Sequence, residues 1–377
     1  MSEELVRIIS DEIASSPDRA IPFRRYMELC LYHPRWGYYR REGTKIGKEG
    51  DFYTSSHVGD LFGRVMSDVL EEMRRFFLPH PHWMLVEVGA GDGRLMEQMI
   101  KGLKEKGIGR DELMCCLVET SPYHRRLQER RLEGAPYPLR WADRLSDLPG
   151  GMPAVVVSNE LLDAFPVHRI ERRKGALREI YVTRRDGRFF ETDGPLSTGA
   201  LEDYVHRFGL RLEEGQQAEV NLDARDWMRE LGQWLEKGFV ITVDYGGETA
   251  EVAGPGRPRG TLRCFSRHRV HGNPYRAPGE EDLTSDVNFE ALRAWGEEAG
   301  LKPLLYTTQG DWLVRSGILD YLEDHQNPDP FSEVARRNRA VRQLILPGGM
   351  GDVFKVLIQW KGEGHPTLRG MNKNEAG

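Results

Sequence analysis

The residues best suited to chemistry form a glycine-rich segment after a short apolar run. The segment from Leu85 to Gly93, LVEVGAGDG, places Gly89, Gly91 and Gly93 behind an acidic residue. Glycines let a backbone pass close to a ligand, and open α/β sheets bind ligands outside the carboxyl ends of their strands. The segment therefore predicts a ligand-binding turn at the end of a strand.

Two familiar phosphate-binding motifs do not fit this turn. A dinucleotide fingerprint requires GxGxxG, in which the third glycine allows a helix and a strand to pack closely. That third position is Arg94 when counted from Gly89 and Met96 when counted from Gly91. A P-loop is also excluded, because no Gly-Lys-Ser/Thr follows the glycines.

The remaining pattern, acidic-x-Gly-x-Gly-x-Gly, indicates a cationic ligand. Glu87 and Asp92 would repel a pyrophosphate, whereas they suit a ligand that carries an amine. S-adenosylmethionine has a sulfonium, an ammonium and no phosphate, so it is the predicted cofactor. The residues predicted to form its cradle are Glu87, Gly89, Ala90, Gly91 and Gly93.

Acidic residues also follow the next two predicted strands. Glu119 closes the second strand, where a carboxylate can accept hydrogen bonds from both ribose hydroxyls. Asp143 follows the third strand and is predicted to bond the adenine amino group. A glutamate at one strand end is usually a solvated terminus, but acidic residues at successive strand ends together favour a cofactor site.

A polar segment, NELLDAFP at residues 159–166, leaves the fourth predicted strand. It lies next to where the transferable methyl group of such a cofactor would be. One interpretation is that Asn159 and Asp163 cap a following helix. The other is that Asn159, Glu160 and Asp163 bind the methyl acceptor, with Asn159 also touching the cofactor. Both interpretations are consistent with the sequence.

Apolar periodicity identifies the elements that must position these residues. Residues 58–77 carry apolar side chains at helical spacing, which predicts an amphipathic helix. Short apolar runs at 84–88, 113–118 and 154–157 then alternate with helical patterns. Such runs are typical of a parallel sheet covered on both faces, so the predicted fold class is α/β.

Two insertions interrupt the α/β pattern. The Asp186-Gly187 pair predicts a β-hairpin between residues 167 and 191, and a helix is predicted from Leu222 to Glu236. The stretch from Gly246 to about residue 286 is too long for an ordinary connection and is predicted to form a lid. The predicted organisation is a helical cap at 1–80, a catalytic domain at 81–361 with insertions at 167–237 and 246–287, and a loose tail at 362–377.

Composition and charge limit the classes of protein to which this chain can belong. Its 39% hydrophobic and 30% charged residues are usual for a globular protein. The net charge of −6 gives no overall attraction to nucleic acid or anionic membranes, and no apolar run reaches the roughly 20 residues that span a bilayer. The four cysteines form no CxxC pair, so reduced buried thiols and no metal site are predicted. The amino terminus resembles neither a signal nor a transit peptide, so a cytoplasmic location is expected.

Several motifs form a recognisable set. They are YHPRWGYY at 32–39, GDFYT at 50–54, the glycine segment, NELLDAFP, VDYG at 243–246 and the stretch from Gly260 to Phe289. This set resembles the MidA-like family of class I S-adenosylmethionine-dependent methyltransferases. The resemblance implies a Rossmann-like fold with a mostly parallel seven-stranded sheet, an amino-terminal helical cap and inserted segments. It also implies protein arginine methylation, with symmetric dimethylation reported for the family, and a link through its mitochondrial members to the assembly of respiratory complex I.

An arginine acceptor poses a specific chemical problem. Its guanidinium has a pKa of about 13.8 and stays protonated, so a carboxylate that binds it in bidentate fashion would fix its plane and localise its charge. Glu160 is the first candidate for this role and Asp163 the second, three residues later and expected on the same helical face. The residues predicted to line the acceptor pocket are Tyr38, Tyr53, Asp244, Tyr245 and His268.

These residues also have structural interpretations that involve no substrate. The aromatic residues are equally consistent with packing of the cap onto the core, and His268 with packing inside the lid. Two other functions stay open at this point: a methyltransferase that acts on a small molecule or another residue type, and a cofactor-binding assembly factor with little activity. The partner expected from the resemblance is a protein substrate that presents an arginine, without nucleic acid or membrane insertion.

Overall fold

The structure is a computed structural model of the 377-residue chain. It describes residues 3–43, 55, 58–266, 269–323, 329 and 331–371. The chain forms two compact units, each built from three segments. The first unit contains residues 1–52, 162–227 and 246–295, and the second contains residues 53–161, 228–245 and 296–377.

The regular elements follow one another along both units. The helices are α1 (Glu3–Ser15), α2 (Phe23–Tyr32), α3 (Leu61–Arg74), α4 (Arg94–Glu105), α5 (Pro122–Arg131), α6 (Gly199–Arg207), α7 (Leu222–Trp234), α8 (Thr249–Val252), α9 (Phe289–Glu298), α10 (Gln309–Arg315), α11 (Glu333–Ile345) and α12 (Met350–Val353). The strands are β1 (Ile21–Pro22), β2 (Trp83–Val88), β3 (Leu113–Val118), β4 (Leu139–Ala142), β5 (Ala154–Asn159), β6 (His168–Arg173), β7 (Ala176–Arg185), β8 (Arg188–Gly194), β9 (Gln217–Val220), β10 (Gly238–Gly247), β11 (Arg263–Ser266), β12 (Arg269–His271), β13 (Asp282–Thr284), β14 (Val287–Asn288), β15 (Lys302–Thr308) and β16 (Phe354–Lys361).

The large sheet confirms the predicted fold class. Within the described residues, seven of its eight strands follow the order β15-β16-β10-β5-β2-β3-β4, and β14 pairs with β10 off this path. The strands from β10 to β4 are mutually parallel, and β16 runs antiparallel to both of its neighbours. Apolar runs such as Ala154–Val157 are fully buried because helices cover both faces of such a sheet.

Two helices of the second unit approach unusually closely. An added Cβ at Gly63 of α3 would lie 2.2 Å from the Cβ of Gln98, and one at Gly102 of α4 would lie 2.0 Å from the hydroxyl oxygen of Ser67. Small residues are needed at both crossing points, since a larger side chain would push the helices apart. This contact fixes the direction in which α4 leaves the glycine turn.

The first unit contains α1, α2 and an antiparallel sheet. In that sheet β7 lies between β6 and β8, while β9 pairs with β6 and β1 with β7. The predicted turn at Asp186-Gly187 is confirmed, with φ values of 48° and 78°. A second turn of the same kind lies at Lys174-Gly175, with φ values of 53° and 76°. Positive φ at both central residues matches the right-handed twist of the flanking strands.

Two predicted segments differ from expectation. In the stretch proposed as a lid, the described residues include the small sheet of β11, β12 and β13, with Cys264 and Leu283 in the core of the first unit. The predicted loose tail is packed as far as Met371, because Leu368 is 2% exposed in the core of the second unit and the Arg369 amide donates to Glu72. The two units also combine the chain segments differently from the predicted domain boundaries.

The cysteines confirm the prediction of reduced buried thiols. Cys30, Cys115, Cys116 and Cys264 are all free and buried. Burial raises the pKa of the Cys30, Cys116 and Cys264 thiols to about 12. Within the residues that the structure describes, none of the helices combines the length and apolar character required to cross a membrane.

The close crossing of α3 and α4 generates a first prediction. Gly102→Leu should lower the free energy of unfolding by about 1–3 kcal/mol, because the new side chain overpacks the contact with Ser67. Lys104→Leu adds the same side chain at an exposed position of α4 and should change stability by less than about 0.5 kcal/mol. Urea unfolding followed by tryptophan fluorescence measures both. Equal midpoints for the two variants would show that the helices do not need a small residue here.

Candidate active site

Strand register places the predicted cofactor residues along one edge of the sheet. Val88 is paired with Val118, and Val118 with Ala142, so three strands end at the same level. The amide of Gly89 then donates to the carbonyl of Val118, and the amide of Glu119 to that of Ala142, both at 3.0 Å. The carboxyl ends of parallel strands thereby converge as the sequence predicted.

The glycine turn has a backbone that only glycine adopts at low cost. The φ values of Gly89, Gly91 and Gly93 are 69°, 52° and 79°. Gly93 precedes α4 and its amide donates to the carbonyl of Ala90 at 2.8 Å. A side chain would strain each left-handed position, so this turn presents bare backbone at the edge of the sheet.

Glu87 is a buried carboxyl under this turn, with 4% exposure. Burial raises its pKa well above the usual value, and repulsion from Asp92 and Glu119 adds to the effect, whereas a hydrogen bond from the Met96 amide opposes it. Among the described residues, its Oε2 atom has no hydrogen-bond partner. Asn159 on β5 likewise has a buried Oδ1 atom without a partner in the described part of the chain.

These buried oxygens lie on the same face of the sheet. Glu87 is paired with Val157, and Asn159 follows two residues later, so their side chains point in the same direction. Glu119 also shares this face, because Glu87 is paired with Leu117. Buried acceptors normally have donors, and an ammonium group is a donor with three N–H bonds.

Glu119 and Asp143 have different surroundings. The Glu119 carboxylate is 8% exposed and accepts a hydrogen bond from the Ser121 amide at 2.7 Å. The Asp143 side chain is 71% exposed and forms an ion pair with Arg125 at 3.0 Å. The proposed contacts of these carboxylates with ribose and adenine stay predictions. The geometry favours Glu119 as the more firmly held of the two.

Sequence reasoning missed two partners of the glycine turn. Arg131 on α5 donates to the carbonyl of Asp92 at 2.8 Å and to its carboxylate at 2.9 Å, so the charge of Asp92 is already compensated. Gln128 on the same helix donates to the carbonyl of Gly91 at 2.9 Å. The available signal was a four-residue spacing from His124 to Gln128, which places two polar side chains on the buried face of α5.

The segment after β5 is not helical, which corrects one interpretation. Glu160 has a left-handed backbone with φ of 53°, and its amide donates to the carbonyl of Val243 at 2.9 Å. Asn159 therefore does not cap a helix, and Glu160 and Asp163 do not share a helical face. Instead, the Asn159 side-chain amide donates to the Glu160 carboxylate at 3.1 Å.

Asp244 holds the start of this segment. Its carboxylate is fully buried and accepts hydrogen bonds from the amides of Leu161 and Tyr245, at 3.1 and 3.0 Å. The ring of Tyr245 packs edge-on against Phe354 at 5.4 Å. Asp244 therefore fixes the backbone beside Glu160, while its predicted contact with a substrate stays a prediction.

The rest of NELLDAFP belongs to the first unit, where three consecutive backbone carbonyls accept hydrogen bonds. The Asn221 side chain donates to Leu162, the Ser285 amide to Asp163, and the Tyr32 hydroxyl to Ala164, at 2.9–3.0 Å. Asp163 itself is 4% exposed. The backbone that carries the second acceptor candidate is thus firmly fixed within its own unit.

The remaining acceptor-site candidates have mixed outcomes. Tyr38 is buried at 3% exposure and packs edge-on against Tyr39, which matches packing within the cap. The hydroxyl of Tyr39 donates to the buried carboxylate of Asp282 at 2.7 Å, a contact that the sequence did not indicate. Tyr53 and His268 lie outside the described residues.

The groups along this edge fit S-adenosylmethionine. A bare glycine turn, two buried oxygens without described donors, and the ordered Glu119 carboxylate suit a cation that lacks phosphate. The residues that would hold it are Glu87, Asn159, Glu119 and the turn from Gly89 to Gly93. When bound, this cofactor supplies a methyl group on a sulfonium.

Comparison with known proteins decides the family. Residues 61–307 match the model of a family described as "Putative S-adenosyl-L-methionine-dependent methyltransferase". This chain belongs to that methyltransferase family. The predicted fold class, cofactor and family resemblance are thereby confirmed, and the chain is an S-adenosylmethionine-dependent methyltransferase.

A solved structure agrees over nearly the whole methyltransferase. The crystal structure of a Burkholderia thailandensis protein bound to S-adenosyl-homocysteine is 30% identical, with a TM-score of 0.87, and the match covers 99% of this chain and 95% of that chain. The mitochondrial protein arginine methyltransferase NDUFAF7 of Homo sapiens is 28% identical over 87% of this chain and 75% of its own length. Its Drosophila melanogaster homolog is 29% identical over 91% and 82%.

The glycine turn generates a second prediction. Gly91→Ala should weaken binding of S-adenosylhomocysteine at least about tenfold, because its methyl group enters the space in which the ligand meets the backbone. Gly107→Ala is the matched control, since Gly107 also has a left-handed backbone but open space around it. Titration calorimetry gives both affinities. If the two variants bind equally well, the turn is not the cofactor cradle.

The buried Glu87 generates a third prediction, on stability without cofactor. Its pKa is raised in the folded state, so wild-type stability is favoured below the unfolded pKa of about 4.5 and lost as pH rises through the folded pKa. Between about pH 5 and pH 8, the thermal midpoint of the wild type should therefore fall relative to that of Glu87→Gln. Glu97→Gln, at an exposed position of α4, should follow the wild type. A constant difference between Glu87→Gln and wild type across this range would contradict the assignment.

Proposed function

We propose that this methyltransferase methylates arginine side chains of a protein substrate. The names of its curated relatives support the proposal, since those in flies and humans are protein arginine methyltransferases. The acceptor is expected near the carboxyl ends of β5 and β10, because most of the residues predicted to bind the cofactor follow the adjoining strands β2 and β3.

The conformation of Glu160 is the observation that carries the proposal. A non-glycine residue with φ of 53° costs about 1–2 kcal/mol, and such strain clusters at functional sites. Hydrogen bonds from the Glu160 amide to Val243 and from the Leu161 amide to Asp244 hold this conformation. The outcome is a half-buried carboxylate at a fixed position, oriented by Asn159.

A fixed carboxylate solves the main difficulty of an arginine acceptor. The guanidinium is planar and stays charged, so two parallel hydrogen bonds to one carboxylate fix its orientation. In-line transfer depends mainly on such positioning. The acceptor nitrogen loses a proton as the new N–C bond forms, and the Glu160 carboxylate is a suitable proton acceptor.

The target and the location of the protein belong to the proposal as well. A subunit of respiratory complex I is the first target to test in a host that has this complex. Asp163 is the second candidate for binding the guanidinium, since it is a buried carboxylate in the same motif. The cytoplasmic location expected from the sequence stays an expectation, and the curated relatives are named as mitochondrial.

Proteome-wide mass spectrometry identifies the acceptor. Cells with and without this methyltransferase should differ at one or a few arginines, which lose methylation when the protein is absent. The fragment masses also separate symmetric from asymmetric dimethylation. A change in methylated metabolites without any change in methylated arginines would replace this proposal with a small-molecule acceptor.

A fourth prediction concerns Glu160 with the target so identified. Glu160→Gln keeps the volume but removes the charge, so methyl transfer should fall about 100-fold, the scale for one positioned electrostatic contact. Binding of S-adenosylhomocysteine should stay within about threefold, since the cofactor residues are unchanged. A radiolabelled methyl donor and calorimetry measure the two quantities.

Two further variants make this test decisive. Glu129→Gln, on the exposed side of α5, is the matched control and should keep full transfer. If transfer is lost in Asp163→Asn but survives in Glu160→Gln, then Asp163 binds the guanidinium. Full transfer in both variants would rule out a carboxylate clamp.

A further inference from the structure

One buried side chain contacts both the glycine turn and the Glu119 carboxylate in the second unit. Gln128 on α5 is fully buried, and its amide lies among Gly91, Glu119 and Trp141. Its Nε2 atom is 2.9 Å from the Gly91 carbonyl and 3.4 Å from the Glu119 carboxylate. This fully buried amide therefore has hydrogen-bond partners on three different residues and does not merely fill space in the core.

The orientation of this amide follows from its partners. The indole N–H of Trp141 can only donate, and it lies 3.0 Å from Oε1 of Gln128. The carbonyl oxygen of Gln128 must therefore face Trp141, and both N–H bonds face the other way. Those two N–H bonds meet two acceptors, the Gly91 carbonyl and the Glu119 carboxylate, so the amide is fully satisfied in one orientation.

The packing around Gln128 reinforces this arrangement. An added Cβ at Gly93 would lie 3.1 Å from Cγ of Gln128 and 3.3 Å from its Cα, so the turn rests directly on this residue. The amide of Ser121 holds the other carboxylate oxygen of Glu119 at 2.7 Å. The Glu119 carboxylate is thus fixed between the start of α5 and Gln128.

We propose that Gln128 is a positioning residue for the cofactor, which holds the glycine turn and the Glu119 carboxylate at a fixed separation. The turn and the carboxylate belong to different strands, β2 and β3, and the side chain of Gln128 joins them directly. A bound cofactor then meets both groups already in place, which lowers the ordering cost of binding. Gln128 acts through these groups and does not itself take part in methyl transfer.

The charge of a variant at this position tests the proposal. Gln128→Glu keeps the volume and the acceptor for Trp141, but it replaces both donors with a carboxylate beside Glu119. Binding of S-adenosylhomocysteine, measured by calorimetry, should weaken about 30-fold or more. Gln98→Glu is the matched control, because Gln98 is a largely buried amide on α4 whose side chain donates to the Gly59 carbonyl and not to the glycine turn. That variant should bind within about threefold of wild type.

A double-mutant cycle with Glu119 separates positioning from simple packing. If Gln128 acts through the Glu119 carboxylate, then Gln128→Glu should lower the affinity for S-adenosylhomocysteine by no more than about threefold in a Glu119→Gln background. The effects of the two substitutions on affinity would then be strongly non-additive. Equal losses in both backgrounds would overturn the proposal, because Gln128 would then not act through the Glu119 carboxylate, and unchanged binding in Gln128→Glu would overturn it directly.

A second variant covers the case in which Gln128→Glu fails to fold. Gln128→Met fills the same space without hydrogen bonds and should weaken binding about tenfold, again with a smaller loss in the Glu119→Gln background. Equal losses in the two backgrounds would overturn the proposal here too. Because binding of S-adenosylhomocysteine is measured directly, the result does not depend on whether the acceptor is an arginine.

Discussion

The site depends on the register of the parallel strands. Val88, Val118 and Ala142 end β2, β3 and β4 at one level. On the other side of β2, Asn159 at the end of β5 is paired with Val243 of β10. The residues that follow these strand ends therefore lie side by side at one edge of the sheet, and no long loop is needed to bring them together. A slip of β2 by one residue would turn every side chain of that strand to the opposite face, which would separate Glu87 from Glu119 and Asn159.

Main-chain N–H groups hold the buried carboxyl groups at this edge of the sheet by hydrogen bonds. Glu87, Glu119 and Asp244 are buried carboxyls, and each receives at least one hydrogen bond from a main-chain N–H. Such bonds hold acidic groups in place without adding a cation that would compete with a positively charged ligand. Asp92 and Asp143 differ, because the guanidinium groups of Arg131 and Arg125 compensate their charges.

The sequence predicted what local patterns determine. The strand at residues 113–118 has the predicted bounds because a short, near-continuous apolar run is typical of a buried strand. The Asp186-Gly187 turn was predictable because Gly and Asp readily adopt a left-handed backbone. The conformation of Glu160 was not predictable, since it depends on Asp244, which lies 83 residues after the amide that it binds. Gln128 was missed for the same reason: its partners Gly91 and Glu119 meet it only in the folded sheet.

The buried thiols have a practical consequence for following motion within the protein. Cys30 and Cys264 belong to the first unit, and Cys115 and Cys116 belong to the second. Their raised pKa values leave very little thiolate at neutral pH, and burial keeps reagents away, so alkylation requires local opening. The natural chain therefore carries a separate reporter in each unit. The rate at which each pair is labelled gives the opening frequency of that unit, with no residue changed.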